Sequence, residues 1–454
     1  MDASSVRPVS PGSSPISALR SISLDIAQAG NFFVLKRLTL SVIFSEVIAS
    51  QVIHLFRGLP ILFGFSDMPR KVGGTLKMKF TGASVLVLGL VVGCATLPAG
   101  DTNIAADWDP LPASTRTLDM FKAGPDQACY DRETMPATFV VDSHNHFRPF
   151  GGKSRPYSEV VAYMENSGVL FANMYGIGQS LPWNSGCTYY LDCVGTPADP
   201  SIKNDMINAN NLANHKPEHI ELTLSMTFPD LANPSDIAET MDTLNEEYPG
   251  LWKWMGEVNL VKQALMGNDH EAATLSDIAN WAPFMAKLRA ADMPIAIHSD
   301  LGSNDDQTKY LHLMDEVLER YPENKIIWVH MGLSKELTNI PADQHIALMS
   351  ERLDKSPSLM LDITWRVIAD NYFQTEKNKA AYTAFFNKYY DRILTGTDFV
   401  ASFNKSFEVY AEEVEVNSTL LEDLDDRAFR YITLGQAYFD LLDLPYRAPD
   451  VCRA

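Results

Sequence analysis

From residue 138 onward the sequence predicts an α/β fold of the (β/α)8 TIM-barrel type. Three observations carry that expectation. Apolar, β-rich runs alternate with longer helical patterns, the runs number eight, and several end in His, Glu or Asp. A barrel gathers such side chains at the carboxyl ends of its strands, where its sites are built.

The expected strands are 138–144, 169–175, 220–227, 251–258, 294–298, 325–330, 359–363 and 392–395. Apolar spacing predicts helices between them over 235–248, 276–291, 307–321, 342–355 and 380–390. Residues 407–444 read as a closing helical layer, and 445–454 as an irregular tail. The stretch 176–217 is long for a loop, and long loops at this end of a barrel shape substrate pockets.

The 454 residues exceed one average domain, yet a single barrel with insertions takes about 250 to more than 400. The simplest division is a leader over 1–93, a tether and entry segment over 94–137, and the barrel over 138–454. A composition of 46% hydrophobic and 21% charged residues excludes a mainly disordered or fibrous chain. The net charge of −20 repels phosphate backbones and no long Lys/Arg run offsets it, so nucleic acid is not an expected partner. A small-molecule substrate is expected, and self-association is left open.

The strongest local signal is Val140-Val141-Asp142-Ser143-His144-Asn145-His146. Residues two apart on a strand point the same way, so both imidazoles face the barrel interior and can grip one divalent metal. Ile295-Ala296-Ile297-His298 and Ile327-Trp328-Val329-His330 each place a His after an apolar run. Leu394-Thr395-Gly396-Thr397-Asp398 does so with Asp, and Trp254-Met255-Gly256-Glu257 adds Glu at the fourth strand. Each alone has a plainer account. A His in a core is usually just hydrogen-bonded, Asp398 can cap the next helix, and Glu257 can pair with Lys253 or Lys262. Six such residues at strand ends make a shared metal site the better account. His54, His215, His219, His270, His312 and His345 read as surface or packing residues.

Pocket candidates are Arg148 beyond the first strand, which can hold a carboxylate in two-pronged fashion, and Trp183, Tyr189 and Tyr190 on the long loop. Trp365 and Arg366 after the seventh strand complete an aromatic and cationic wall.

Nearer the amino end, Arg70, Lys71, Lys77 and Lys79 precede an apolar run over 82–92 that ends in Gly93-Cys94. This layout resembles the lipobox of bacterial lipoproteins, in which the signal peptide is cut before the Cys and the thiol carries lipid. The run is short for a bilayer span, which favours a cleaved signal over an uncleaved anchor. A signal starting at Met68 or Met78 would make the preceding residues an upstream start absent from the mature protein. Residues 31–65 are interrupted by Lys36, Arg37, Glu46, His54 and Arg57, so a membrane-lying or amphipathic segment fits better than a clean span. Ala95, in place of the Asp that retains such proteins at the inner membrane, implies an outer-membrane anchor facing the periplasm. Four further cysteines suit an oxidising compartment. Cys187 and Cys193 can close a short loop and Cys129 and Cys452 can tie the barrel's ends, with connectivity open.

The ordered set of HxH on strand one, acid on four, His on five, His on six and Asp on eight resembles the amidohydrolase superfamily, over about 138–444. The nearest branch is the amidohydrolase-2 group of hydrolases, lactonases and decarboxylases. The resemblance implies that His144, His146 and Asp398 bind a more buried metal and His298 and His330 a more exposed one. Glu257 stands where many members carry a bridging carboxylated lysine, which implies a glutamate bridge like that of the TatD-like hydrolases. Without it, one metal on the other five is the fallback. Mixed nitrogen and oxygen ligands suit zinc, with manganese or iron as alternatives. The implied chemistry is metal-activated water attacking an amide, ester or lactone, with Asp398 as catalytic proton acceptor. Non-oxidative decarboxylation of an unsaturated or aromatic acid, done in the same branch with one metal, is the alternative, and two ions would favour hydrolysis. A binding lipoprotein that merely retains the barrel is the non-enzyme reading.

Overall fold

The computed structural model describes residues 19–29, 32–43, 116–182 and 184–452. The lipobox-like segment, Cys94, most of the leader, the first part of the tether and Trp183 lie outside the described residues. The chain divides into two compact units, Met1–Gly89 and Leu90–Ala454. In the first, Leu19–Ala29 pairs antiparallel with Phe32–Ile43. The second strand of this hairpin falls within the stretch read as membrane-lying. Among the described residues no helix is long and apolar enough to cross a membrane.

The second unit is a closed parallel barrel. Its strands are β1 (Val141–His146), β2 (Phe171–Tyr175), β3 (Glu221–Met226), β4 (Trp252–Val261), β5 (Ile295–Ser299), β6 (Ile326–Val329), β7 (Leu359–Asp362) and β8. The last is split into Ile393–Leu394, which pairs with β7, and Phe399–Val400, which pairs with β1. The two ends of the sheet are therefore halves of one strand, and the ring is complete. Two hydrogen bonds cross the split, Ser143 N–H to Thr395 O at 3.0 Å and Asp398 N–H to His144 O at 2.9 Å. Every residue of β5 and β6 is buried, as expected of strands covered on both faces.

Helices follow the strands: α1 (Tyr157–Ser167), α2 (Lys203–Asn214), α3 (Ile237–Glu247), α4 (Leu275–Ala279), α5 (Ala282–Ala290), α6 (Leu311–Arg320), α7 (Ala342–Lys355) and α8 (Lys379–Lys388). α9 (Phe407–Thr419) and α10 (Gln436–Leu442) form the closing layer. Three expectations need correction. The first strand starts at Val141 and runs on to His146. The helix expected over 276–291 is two helices, because Pro283 lacks an amide hydrogen and fits only the first turn of α5. The 176–217 insertion is a loop only to residue 202, and α2 takes up Lys203–Asn214. That helix is rich in asparagine, a weak helix former. Its amides serve tertiary structure instead, Asn204 donating to Ile177 O at 3.0 Å and Asn208 to Tyr175 O at 3.0 Å.

The described part of the entry segment is docked. Phe121 and Tyr130 are fully buried, Tyr130 bridges Val451, and Cys129 is joined to Cys452. Cys187 and Cys193 form the second disulfide.

Candidate metal centre

The split in β8 aims Asp398 at the mouth of the barrel. Asp142, buried inside β1, accepts from Thr397 N at 2.9 Å, Thr397 Oγ1 at 2.8 Å and the Tyr410 hydroxyl at 3.0 Å, clasping β8 to β1. Burial raises the Asp142 carboxyl despite these donors. Four side chains then converge. His144 Nε2 and His146 Nε2 lie 3.0 Å apart. Asp398 Oδ1 is 3.4 Å from the first and 3.3 Å from the second. Glu257 Oε2 is 3.9 Å and 3.4 Å from the same two nitrogens. Ligand atoms held at about 2.0–2.2 Å from a tetrahedral ion are separated by about 3.3–3.6 Å, so these spacings suit one divalent cation.

The other ring nitrogens fix which atom faces that point. His146 Nδ1 donates to Gly176 O at 2.6 Å, and His330 Nδ1 to Thr364 O at 3.1 Å. A carbonyl can only accept, so in both rings Nδ1 carries a hydrogen and Nε2 points inward. His144 Nδ1 donates in the same way to Asp362 Oδ2, at 2.8 Å. Such outer partners set tautomer and ring orientation in metal sites. At 3.0 Å the two Nε2 atoms need a positive charge between them, a proton or a metal ion, because two facing lone pairs would repel.

The electrostatics agree. Glu257, Asp300, Asp362 and Asp398 bring four carboxylates and Lys262 one ammonium, an excess of three negative charges (4 − 1) with neutral imidazoles. Burial opposes charge on His146, but hydrogen bonds to Asp398 and Glu257 outweigh it and raise the ring to about 9, so a proton on this ring offsets one of those charges when no cation competes for it. Burial would also raise Asp398, yet His144, His146 and His330 hold it well below the usual carboxylate range. Glu257 is held low too, since Lys262 and His298 outweigh burial. Burial pushes His330 down to about 4. The backbone is strained here as well. Of the seven non-glycine residues with positive φ among those described, His330, Met331, Trp365 and Asp398 cluster at this site. Each costs on the order of 1–3 kcal/mol, and such strain concentrates where function requires it. Gly256, at φ +117, precedes Glu257, and a Cβ there would lie 2.3 Å from Ala296 O.

Residues 257–433 match the family model described as Amidohydrolase. The match takes in Glu257, His298, His330 and Asp398 and stops short of His144 and His146. No curated protein matches the chain. Among solved structures, an uncharacterised TIM-barrel protein from Bordetella bronchiseptica is similar at 14% identity and TM-score 0.43, covering 67% of this chain and 99% of its own. An amidohydrolase from Burkholderia multivorans with bound zinc is similar at 13% and 0.42, covering 68% and 100%. A putative 2-pyrone-4,6-dicarboxylic acid hydrolase from Pseudomonas putida is similar at 12% and 0.40, covering 68% and 99%.

A cavity of about 450 Å³ opens over the centre, lined among others by His146, His298, His330 and Asp398. Of the pocket candidates, Tyr189, Tyr190, Trp365 and Arg366 line it. Trp365 packs on His330 with ring centroids 5.0 Å apart, and Arg366 pairs with Glu412 at 2.9 Å and Asp370 at 3.2 Å. Arg148 is not among the lining residues. The Cys187–Cys193 disulfide closes the segment that carries both tyrosines.

His298 is differently placed from the other three histidines. Its Nδ1 meets Glu257 Oε1 and its Nε2 meets Asp300 Oδ1 at 2.9 Å, so carboxylates engage both nitrogens. Burial and Lys262 disfavour its charge, but Glu257 and Asp300 raise it overall. His345 packs away from the site, bonded to Tyr382 and Met331 O. His270 accepts from Lys262 N at 3.1 Å. Asp362 and Asp300 are participants that sequence reasoning missed. Asp362 ends the apolar run of β7 as Asp398 follows that of β8, and Asp300 lies two residues beyond His298, so a signal was present for both.

Proposed function

We propose that the chain is a metal-dependent hydrolase that cleaves an amide, ester or lactone bond of a small molecule. One observation carries the reading: His144 Nε2, His146 Nε2, Asp398 Oδ1 and Glu257 Oε2 meet within 3.0–3.9 Å at the mouth of a barrel. The amidohydrolase match over residues 257–433 supports it. The chemistry a divalent cation supplies when bound is Lewis acidity, which lowers the pKa of water to about 7 and polarises a carbonyl. Zinc suits the mixed nitrogen and oxygen donors, with manganese or iron as alternatives. Asp398, ionised at neutral pH, accepts the proton of the attacking water and returns it to the leaving group. The pinned rings of His144, His146 and His330 present Nε2 inward, while Trp365 and the two tyrosines give the cavity above them an aromatic lining.

Metal analysis followed by a screen over lactones, N-acyl amino acids and aromatic carboxylates tests this. His144→Ala should lose the ion, and Asp398→Asn should lose about 10²–10⁴-fold in turnover. Full activity in either variant would sink the assigned roles.

Decarboxylation of an unsaturated or aromatic acid is the second reading. It draws support from Lys262 Nζ, which lies 2.8 Å from Glu257 Oε1, an oxygen that a second ion would need. Release of carbon dioxide in the same screen separates the two.

We also propose a lipid-anchored, periplasm-facing chain cut before Cys94. The two disulfides support an oxidising compartment. Mass spectrometry finding an unmodified Cys94 inside a longer mature chain would overturn it.

A further inference from the structure

We infer that Lys262 supplies a built-in positive charge at the second position of this centre, so that the chain takes one divalent ion and not two. The inference rests on the metal reading above and concerns how that site is charged. Glu257, His298 and His330 each offer a donor atom within 4.8 Å of one another, the outline of a second metal site. The donors are already engaged. Glu257 Oε1 receives Lys262 Nζ at 2.8 Å and the Nδ1 of His298. His298 Nε2 is held by Asp300 Oδ1 at 2.9 Å. Only His330 Nε2 faces the point without a close partner of its own, its nearest carboxylate oxygen being Asp398 Oδ2 at 3.8 Å. One imidazole does not hold a divalent ion, and it is the ammonium on Glu257 Oε1 that keeps this carboxylate oxygen, and the His298 Nδ1 bonded to it, from turning to a cation beside His330.

Lys262 is built into this place. It directly follows β4, and its backbone N–H is fixed by His270 Nε2 at 3.1 Å. Its side chain is 10% exposed, lines the cavity and lies 5.7 Å from the Phe150 ring. A second dication would meet this ammonium at short range in a water-poor site, where like charges repel strongly. Glu257 thus divides its labour: Oε2 faces the His144–His146 pair, while Oε1 is neutralised by lysine. The ammonium is also a donor able to meet an anionic oxygen of a substrate in the cavity.

The test strips full-length protein with a chelator, reloads it with manganese(II), dialyses it, and counts ions by elemental analysis alongside electron paramagnetic resonance. Wild type should hold one ion per chain with the six-line spectrum of an isolated centre. Lys262→Met should take a second ion and show a coupled pair, and Lys262→Arg should stay at one. Circular dichroism establishes that the variants are folded. Two ions per wild-type chain would overturn the inference while leaving the hydrolase reading intact, and so would a folded Lys262→Met that still holds one. If Lys262→Met does not fold, the wild-type and Lys262→Arg counts decide. No bound ion in wild type would sink the metal reading itself.

Discussion

Replacing Asp362 with Asn removes one charge and almost no volume, so its effect comes through the hydrogen bonds the carboxylate makes. Asp362 is buried and takes two donors, His144 Nδ1 on Oδ2 at 2.8 Å and Thr364 N–H on Oδ1 at 2.6 Å. An amide has one accepting oxygen. If that oxygen serves His144, the amide nitrogen confronts the Thr364 N–H and leaves a buried donor unmet, at about 1–3 kcal/mol. If the nitrogen faces His144, Nδ1 must accept and the ring hydrogen moves to Nε2, the atom aimed at the ion. Loss of such an outer partner typically costs 10–100-fold in metal affinity, about 1.4 to 2.7 kcal/mol. Competition against a fluorescent chelator measures the affinity without knowledge of the substrate, and urea unfolding of chelated protein measures the stability. A dissociation constant within twofold of wild type would refute the claim that Asp362 sets the tautomer of His144.

Three more outcomes are expected. His345 is buried between the Tyr382 hydroxyl and Met331 O, and burial holds its pKa at about 4 against 6.5 for the free side chain. The unfolded chain therefore gains a proton below about 6.5 that the folded one refuses. Stability falls as pH drops from 6.5 towards 4, by about 3 kcal/mol from this group. Urea midpoints at pH 7 and 4.5 should shift less in His345→Gln, and equal shifts would refute the assignment. Cys129→Ser opens a loop spanning a sequence separation of 323. It should cost about 2–5 kcal/mol, read as a lowered thermal midpoint of the oxidised variant against oxidised wild type, and an unchanged midpoint would refute it. Replacing Cys187 and Cys193 together by Ser should expose 187–193 to limited proteolysis with the barrel intact, and unchanged resistance would show that packing alone orders the segment.

Much of the site was legible because its signals are local. His144 and His146 announce themselves by strand spacing, and His298, His330 and Asp398 by their position after apolar runs. Asp362 escaped notice although it ends a strand in the same way, because its role exists only through His144, 218 residues away. Lys262 was visible merely as an ion-pair partner of Glu257. That its ammonium is buried against Glu257 Oε1 beside the cavity comes from how the end of β4 turns against His270 and Phe150. Helix α2 was hidden by asparagines whose amides are spent on neighbouring carbonyls.

What the sequence determined by itself is the periodic part: eight alternating units, a barrel, and the polar residues its strands deliver to one rim. Those features depend on the repeat of single elements, a physics of near neighbours along the chain. Only the tertiary structure decided which nitrogen of each imidazole faces inward, that β8 splits to close the ring, and that an ammonium shares Glu257 with the histidines. Hydrogen bonds and charges act through space, so their balance is settled where distant segments meet.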